Sequence, residues 1–123
     1  MMNIFMNKFI LLLLSVILFF YSAFTLAISS KLLISPEPSV LCDRYICVDS
    51  ITGVSVSLTE KYLGKKQANR LLSQGLFDKT AFTFDNGVFC DIKERKCYID
   101  RYFNEKGQRS KVCQQYTEKL FSN

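Results

Sequence analysis

One pattern occurs twice in this chain, and it constrains the fold more than any other feature. Val40-Leu41-Cys42-Asp43 is followed by Cys47, Asp49, Gly53 and then Leu58-Thr59-Glu60-Lys61; Val88-Phe89-Cys90-Asp91 is followed by Cys97, Asp100, Gly107 and then Tyr116-Thr117-Glu118-Lys119. A hydrophobic pair leads into Cys-Asp. A loop, a second cysteine and a turn glycine follow, and a helix opens near Thr-Glu-Lys. A repeated pattern defines the architectural unit before any residue has a role. Upstream, Leu33-Ile34-Ser35 before the two prolines corresponds to Phe82-Thr83-Phe84 before Asn86-Gly87. Each unit therefore reads as strand, turn, strand ending in Cys-Asp, loop, strand starting at Cys, then helix. Units this small cannot bury a hydrophobic face alone, so the two should pack as one domain.

The expected fold is a small disulfide-stapled α+β domain of two pseudo-repeats, each a β-hairpin followed by a helix, with antiparallel strands packed on helices. Repeat one covers about residues 33–64 and repeat two about 82–121. Residues 40–42 and 45–48 read as strands and 49–53 as a loop. Ser57 and Glu60 have the capping-box spacing, with Ser57 as the N-cap of the next helix. Gly64 ends or kinks that helix, which resumes over 65–74 with Ala68, Leu71 and Leu72 facing inward. Thr80 to Phe84 alternates in the strand period, and Asp85-Asn86-Gly87 is a hairpin turn signal, so strands 80–84, 88–92 and 97–102 form a meander. Residues 104–107 turn again, and 112–121 form the last helix. Phe77, Phe82, Phe84, Phe89, Phe103 and Phe121 are assigned to the core.

The first 27 residues read as a secretory signal peptide. Lys8 precedes an apolar run from Phe9, and Thr25-Leu26-Ala27 offers a cleavage site after Ala27. The competing reading is an uncleaved anchor, because the run to Ile28 approaches the ~20 residues that span a bilayer. Cleavage leaves a single domain over residues 28–123. It would hold 15 of the 16 Lys and Arg and all 11 acids, a net charge of +4. The excess sits in repeat two: between Lys93 and Lys111 there are seven basic and three acidic side chains.

Export and the cysteine count call for disulfides in an oxidising compartment. Cys42 and Cys47, like Cys90 and Cys97, flank a short polar segment that can fold back as a hairpin loop. Local pairing, Cys42–Cys47 and Cys90–Cys97, is therefore expected; cross-repeat pairing is the alternative that spacing leaves open. Closing loops this small stabilises by roughly 2 to 2.5 kcal/mol each in the chain-entropy model. Six residues separate Cys90 from Cys97, too many for a zinc knuckle, so no metal or other cofactor is expected. Cys113 is left over, and three readings compete for it: a buried inert thiol, which leads, an intermolecular disulfide that would make a dimer, or a reactive thiol.

The chain has no histidine. That removes Ser-His and Cys-His catalysis and the histidine-based zinc motif. The leading functional expectation is a non-enzymatic protein-binding or inhibitor-type module with an envelope or secreted partner. Its candidate surface is Lys93, Arg95, Lys96, Tyr98, Arg101 and Tyr102, since arginine and tyrosine are enriched at interface hot spots. The alternatives are a small envelope enzyme using Asp43 and Asp91 as paired carboxylates, and a membrane-anchored accessory protein. The latter requires the leader to stay attached. No dense basic stripe points to nucleic acid.

The residues Ser35-Pro36, Cys42-Asp43-Arg44-Tyr45-x-Cys47, Leu58-Thr59-x-x-Tyr62-Leu63-Gly64, Ser73-Gln74-Gly75-x-Phe77-Asp78 and Phe82-Thr83-Phe84-x-Asn86-Gly87-x-Phe89-Cys90-Asp91 resemble a family of small exported enterobacterial proteins, the YcgJ-like or Fels prophage protein-like family. Lys93-Glu94-Arg95-x-Cys97 and Asp100-Arg101-Tyr102-Phe103 continue the likeness. The resemblance implies a Gram-negative envelope setting, periplasmic or secreted. It implies no mechanism and no catalytic residues.

Overall fold

The computed structural model describes residues 32–122, and Leu33 onward forms one compact unit. The expected leader lies outside the described residues. The element order is β1 (Val40–Cys42), β2 (Cys47–Asp49), β3 (Gly53–Ser55), α1 (Val56–Leu63), α2 (Lys65–Leu72), β4 (Ala81–Thr83), β5 (Phe89–Asp91), β6 (Lys96–Tyr98) and α3 (Gln114–Phe121). The strands form two antiparallel sheets, β1-β2-β3 and β4-β5-β6. The fold is α+β, and each sheet runs into a helix.

The cysteines sit at corresponding places in the two sheets. Cys42 faces Cys47 across β1 and β2, and Cys90 faces Cys97 across β5 and β6. Both pairs are bonded. The backbone explains why. The Asp43 N–H donates to Ile46 C=O at 3.1 Å, and Cys42 exchanges its own backbone bonds with Ile34 on the other side. Cys42 and Cys47 are therefore a non-hydrogen-bonded pair, where antiparallel Cα atoms come closest. All four bridged cysteines are at most 2 % exposed.

The Thr-Glu-Lys signature also acquires a physical role. In the first repeat β3 runs directly into α1, and in the second Cys113, which donates to Cys97 C=O, has its own carbonyl taken by Thr117 N–H of α3, so a ladder acceptor is missing beside each second cysteine. The Cys47 N–H donates instead to Thr59 Oγ1 at 3.0 Å, and the Cys97 N–H to Thr117 Oγ1 at 2.9 Å. Each threonine replaces the absent strand carbonyl and locks helix to sheet at the bridge. Thr59 is fully buried.

Several sequence expectations need correction. The first unit has a third strand, β3, which starts at Gly53, the last residue of the expected loop, and takes in Val54 and Ser55, before the expected helix cap at Ser57. The cap of α1 is Ser55, whose Oγ accepts from Leu58 N–H at 3.1 Å, two residues before the expected Ser57. Cys113 is the corresponding residue at the start of α3, and its side chain makes no cap bond. The partner of Cys42 is Ile34 and that of Cys90 is Phe82, so the upstream alignment of the repeats is shifted by one residue. Leu72 is exposed rather than inward, because α2 turns only Ala68 and Leu71 to the core. Phe82 and Phe84 are core, in edge-to-face contact at 5.4 Å, whereas Phe77 and Phe103 are exposed and Phe89 and Phe121 half-buried.

The main core joins both units: Leu41, Val48, Val54 and Leu71 meet Phe82, Phe84, Val88, the Cys90–Cys97 bridge, Tyr116 and Leu120. The Cys42–Cys47 bridge lies on the other side of the first sheet, against Leu58, Tyr62 and Leu63 of α1. The repeats are thus alike in pairing but bury different faces. Where they meet, Val54 N–H donates to Lys79 C=O at 2.9 Å. Gly53, at φ +80, lies so close that a Cβ would sit 1.9 Å from that carbonyl oxygen.

Candidate functional site

Two surfaces carry chemistry. The first is the expected one around the second hairpin. Beyond β6 the chain runs out and back over residues 99–111 as a short arm. Ile99 N–H donates to Lys111 C=O at 2.9 Å, Phe103 pairs with Arg109, and Asn104 to Gly107 makes the tip. Side chains fix its shape: Asp100 accepts from Tyr102 N–H at 2.9 Å, Ser110 donates to Asp100 C=O at 2.8 Å, and Asn104 Oδ1 accepts from Lys106 and Gln108 N–H. This is Asx-turn chemistry, supplied by the turn residues themselves.

Arg109 ties the arm to the outer face of the second sheet. Its guanidinium lies 4.5 Å from the Phe103 ring centre, 4.9 Å from Phe89 and 5.2 Å from Tyr98, and it pairs with Glu94 at 3.5 Å. Phe89 and Tyr98 stack at 6.4 Å. The Tyr98 hydroxyl donates to Glu94 at 2.5 Å. That bond, aided by the positive charge of Arg109, holds the Glu94 carboxyl below its usual pKa; the same bond raises that of Tyr98.

Of the candidate surface residues, Lys93, Arg95, Lys96, Arg101 and Tyr102 are exposed. Tyr98 is 6 % exposed and forms the base of the cluster. Arg95 serves the fold as well: it donates to Phe121 C=O at 3.0 Å and lies over the Phe121 ring, holding the C-terminal end of α3. Two members were missed by reading the sequence. Phe103 is 58 % exposed beside Tyr102 at 65 %, and Arg109 organises the rings. The turn residues on either side, Asp100 and Asn104, were the signal that Phe103 stands on a loop and not in the core. Cys113 is half-buried and packs against the main core.

The second surface is a groove between the units. Asp43, Tyr45, Ile46, Leu71, Gln74, Phe77 and the β4 strand line a space of about 330 Å³. It shares Tyr45, Ile46, Leu71 and Gln74 with an adjoining space of about 250 Å³ that reaches Gln67 and Arg70. Asp43 is buried here. One oxygen accepts from Tyr45 and Ile46 N–H at 2.7 and 2.8 Å, and the other from Asp85 N–H at 2.8 Å. Arg44 pairs with Asp85 at 2.8 Å and clasps the same junction. Asp91 accepts from Lys93 N–H at 2.9 Å and lines neither space. The two repeat-related carboxylates therefore cap their own loops and do not converge in one cleft. Among the described residues no His, Cys, Asp and Glu side chains gather as a metal-binding group, and no helix is long and apolar enough to cross a membrane.

Fold and surface together describe a small disulfide-bridged α+β domain built from two unequal copies of one unit. The chain belongs to the YcgJ protein family, whose sequence profile matches residues 33–121. It is 53 % identical over 88 residues to a protein of Escherichia coli (strain K12) named "Uncharacterized protein YcgJ", covering 71 % of each chain. No solved structure matches it.

Proposed function

We propose that this is an exported, non-enzymatic binding module of the periplasm or the extracellular space, which recognises another exported protein through the arm of residues 99–109 and the adjoining hairpin of residues 93–96. The observation that carries this reading is the pair Tyr102 and Phe103. Two aromatic rings stand more than half exposed, next to Arg101 and Arg109, on an arm that is hydrogen-bonded along its length. An exposed aromatic patch on a held backbone loses little conformational entropy on binding, and Tyr and Arg are typical interface anchors. The basic excess of the same segment supports a partner with an acidic rim around an apolar cup. The two disulfides fit an oxidising compartment.

The test is cross-linking in the envelope fraction, comparing the native chain with a Lys96→Glu, Arg101→Glu, Tyr102→Ala variant. Arg95 is left intact because it also holds α3. The reading expects a discrete cross-linked partner that the variant loses at unchanged thermal stability. Equal capture by both proteins would refute the surface.

A further inference from the structure

Most exposed sheet edges in this fold are covered by the chain itself. β1 is covered by Ile34, which exchanges bonds with Cys42, and β6 by Val112, flanked by bonds from Ile99 and Cys113. β3 is capped by the Val54–Lys79 bond. β4 differs. Thr80 and Phe84 bond toward β5, through Ile92 N–H to Thr80 C=O and Phe84 N–H to Val88 C=O, both at 2.9 Å. By the alternation of an antiparallel ladder Phe82 does the same, and the N–H and C=O of Ala81 and Thr83 point the other way. Just beyond them this outer edge is closed at both ends: Lys79 C=O is taken by Val54, and Asp85 N–H by the Asp43 carboxylate. Among the described residues this leaves an open window of four backbone groups, on residues that line the 330 Å³ groove.

The groove offers complementary side-chain chemistry. Its inner wall is apolar, from Ile46, Val54, Leu71 and Phe82, with Phe77 on the rim. Asp78 stands exposed at the Lys79 end. Thr80 donates to it through both hydroxyl and N–H, which with a smaller contribution from the Lys93 charge lowers its pKa below the usual value, and among the described residues it makes no direct ion pair. We propose that the outer edge of β4, at Ala81 and Thr83, takes an extended peptide segment of a partner protein by strand addition, with an apolar side chain in the groove and a Lys or Arg against Asp78. Strand addition draws affinity from main-chain bonds and specificity from alternate side-chain pockets, and this window provides both over a short length. A narrow strand suits an edge lying beside walls formed by Tyr45 and Phe77 better than a second copy of the whole domain does. The site is independent of the arm and stands whether or not the arm binds.

The experiment selects short displayed linear peptides on the folded, oxidised protein and follows one synthetic winner by calorimetry and amide NMR. In the free protein the Ala81 and Thr83 amides should exchange fast and those of Phe82 and Phe84 slowly. The peptide should slow Ala81 and Thr83, and winners should carry Lys or Arg next to an apolar residue. Thr83→Pro removes one outward N–H at an edge position that tolerates proline, and should weaken the peptide about tenfold while the protein stays folded. Asp78→Lys, at an exposed site, should weaken it to a similar degree. Ala81 and Thr83 amides already protected without peptide, no enrichment, shifts confined to residues 99–109, or affinity within twofold in both variants would each overturn the proposal; the wild-type amide mapping decides the matter even if Thr83→Pro does not fold.

Discussion

Replacing Gly53 by alanine attacks the seam between the two repeats at its closest point. Gly53 has φ +80, where an L-residue costs about 1–2 kcal/mol. The new Cβ would also lie 1.9 Å from the Lys79 carbonyl oxygen and 2.8 Å from its carbon. Both are backbone atoms and cannot rotate aside, so the strands must part. The Val54–Lys79 bond, whose net worth is about 0.5–1.5 kcal/mol, is then lost. Together these give about 1.5–3.5 kcal/mol, a large share of the ~5–15 kcal/mol by which domains are stable. Gly107 is the matched control: its φ is +73 and a Cβ there meets nothing within 4 Å, so Gly107→Ala carries only the conformational part, about 1–2 kcal/mol. Urea unfolding of the oxidised proteins measures both. Gly53→Ala should fall below Gly107→Ala by at least about 0.5 kcal/mol, the lower end of the bond term alone. Equal losses would mean that the close approach of Gly53 to Lys79 does not hold the repeats together.

Other outcomes follow from the same geometry. Thr59→Val keeps the shape but strands the buried Cys47 N–H and should destabilise by about 1–3 kcal/mol, with Thr59→Ser much milder; Thr117→Val should act in the same direction, and equal stability of Thr59→Val would remove the threonine staple. Cys113→Ser places a competent cap where Ser55 sits in the first repeat and should leave stability unchanged or raise it by up to about 1 kcal/mol; a larger loss would show that the thiol is needed in the core. The Glu94 pKa is depressed in the folded state by the Tyr98 hydroxyl and Arg109, so its stabilisation is complete above the usual value of 4.5 and disappears as pH falls through the lowered one. Glu94→Gln should accordingly flatten the acid limb of the stability profile, and an unchanged limb would exclude Glu94 from it. Tyr102→Ala should leave thermal unfolding unaltered while abolishing partner capture, since the ring is largely solvent-exposed.

The parts of the fold legible in the sequence are those set by neighbours in the chain. Asn86-Gly87 marks the β4–β5 turn, and the short polar segments between cysteines give local bridges, because strand register places the flanking residues opposite each other. β3 was masked by a competing local signal. Val54-Ser55-Val56-Ser57 alternates in the strand period, but Ser57 and Glu60 also fit a capping box, and the actual cap, Ser55, ends the strand and starts the helix at once. The aromatic residues show a different limit. Composition says that large rings need burial, but it does not say which. Phe82 and Phe84 reach the core because β4 pairs with β5, whereas Phe103 stands outside because Asp100 and Asn104 turn the chain on either side of it. The groove was not legible at all. Its junction joins Asp43 to Asp85 and Val54 to Lys79, contacts between repeats that no local pattern encodes.

Export, two local bridges and one cysteine left over are the central features proposed for this domain. Intact mass of the protein from its native compartment, alkylated under denaturing conditions with and without reduction, tests this most directly. The expected result is a chain beginning at Ile28, with a single alkylated thiol before reduction and five after it. A chain retaining Met1, or one with more than one thiol open to alkylation before reduction, would contradict it.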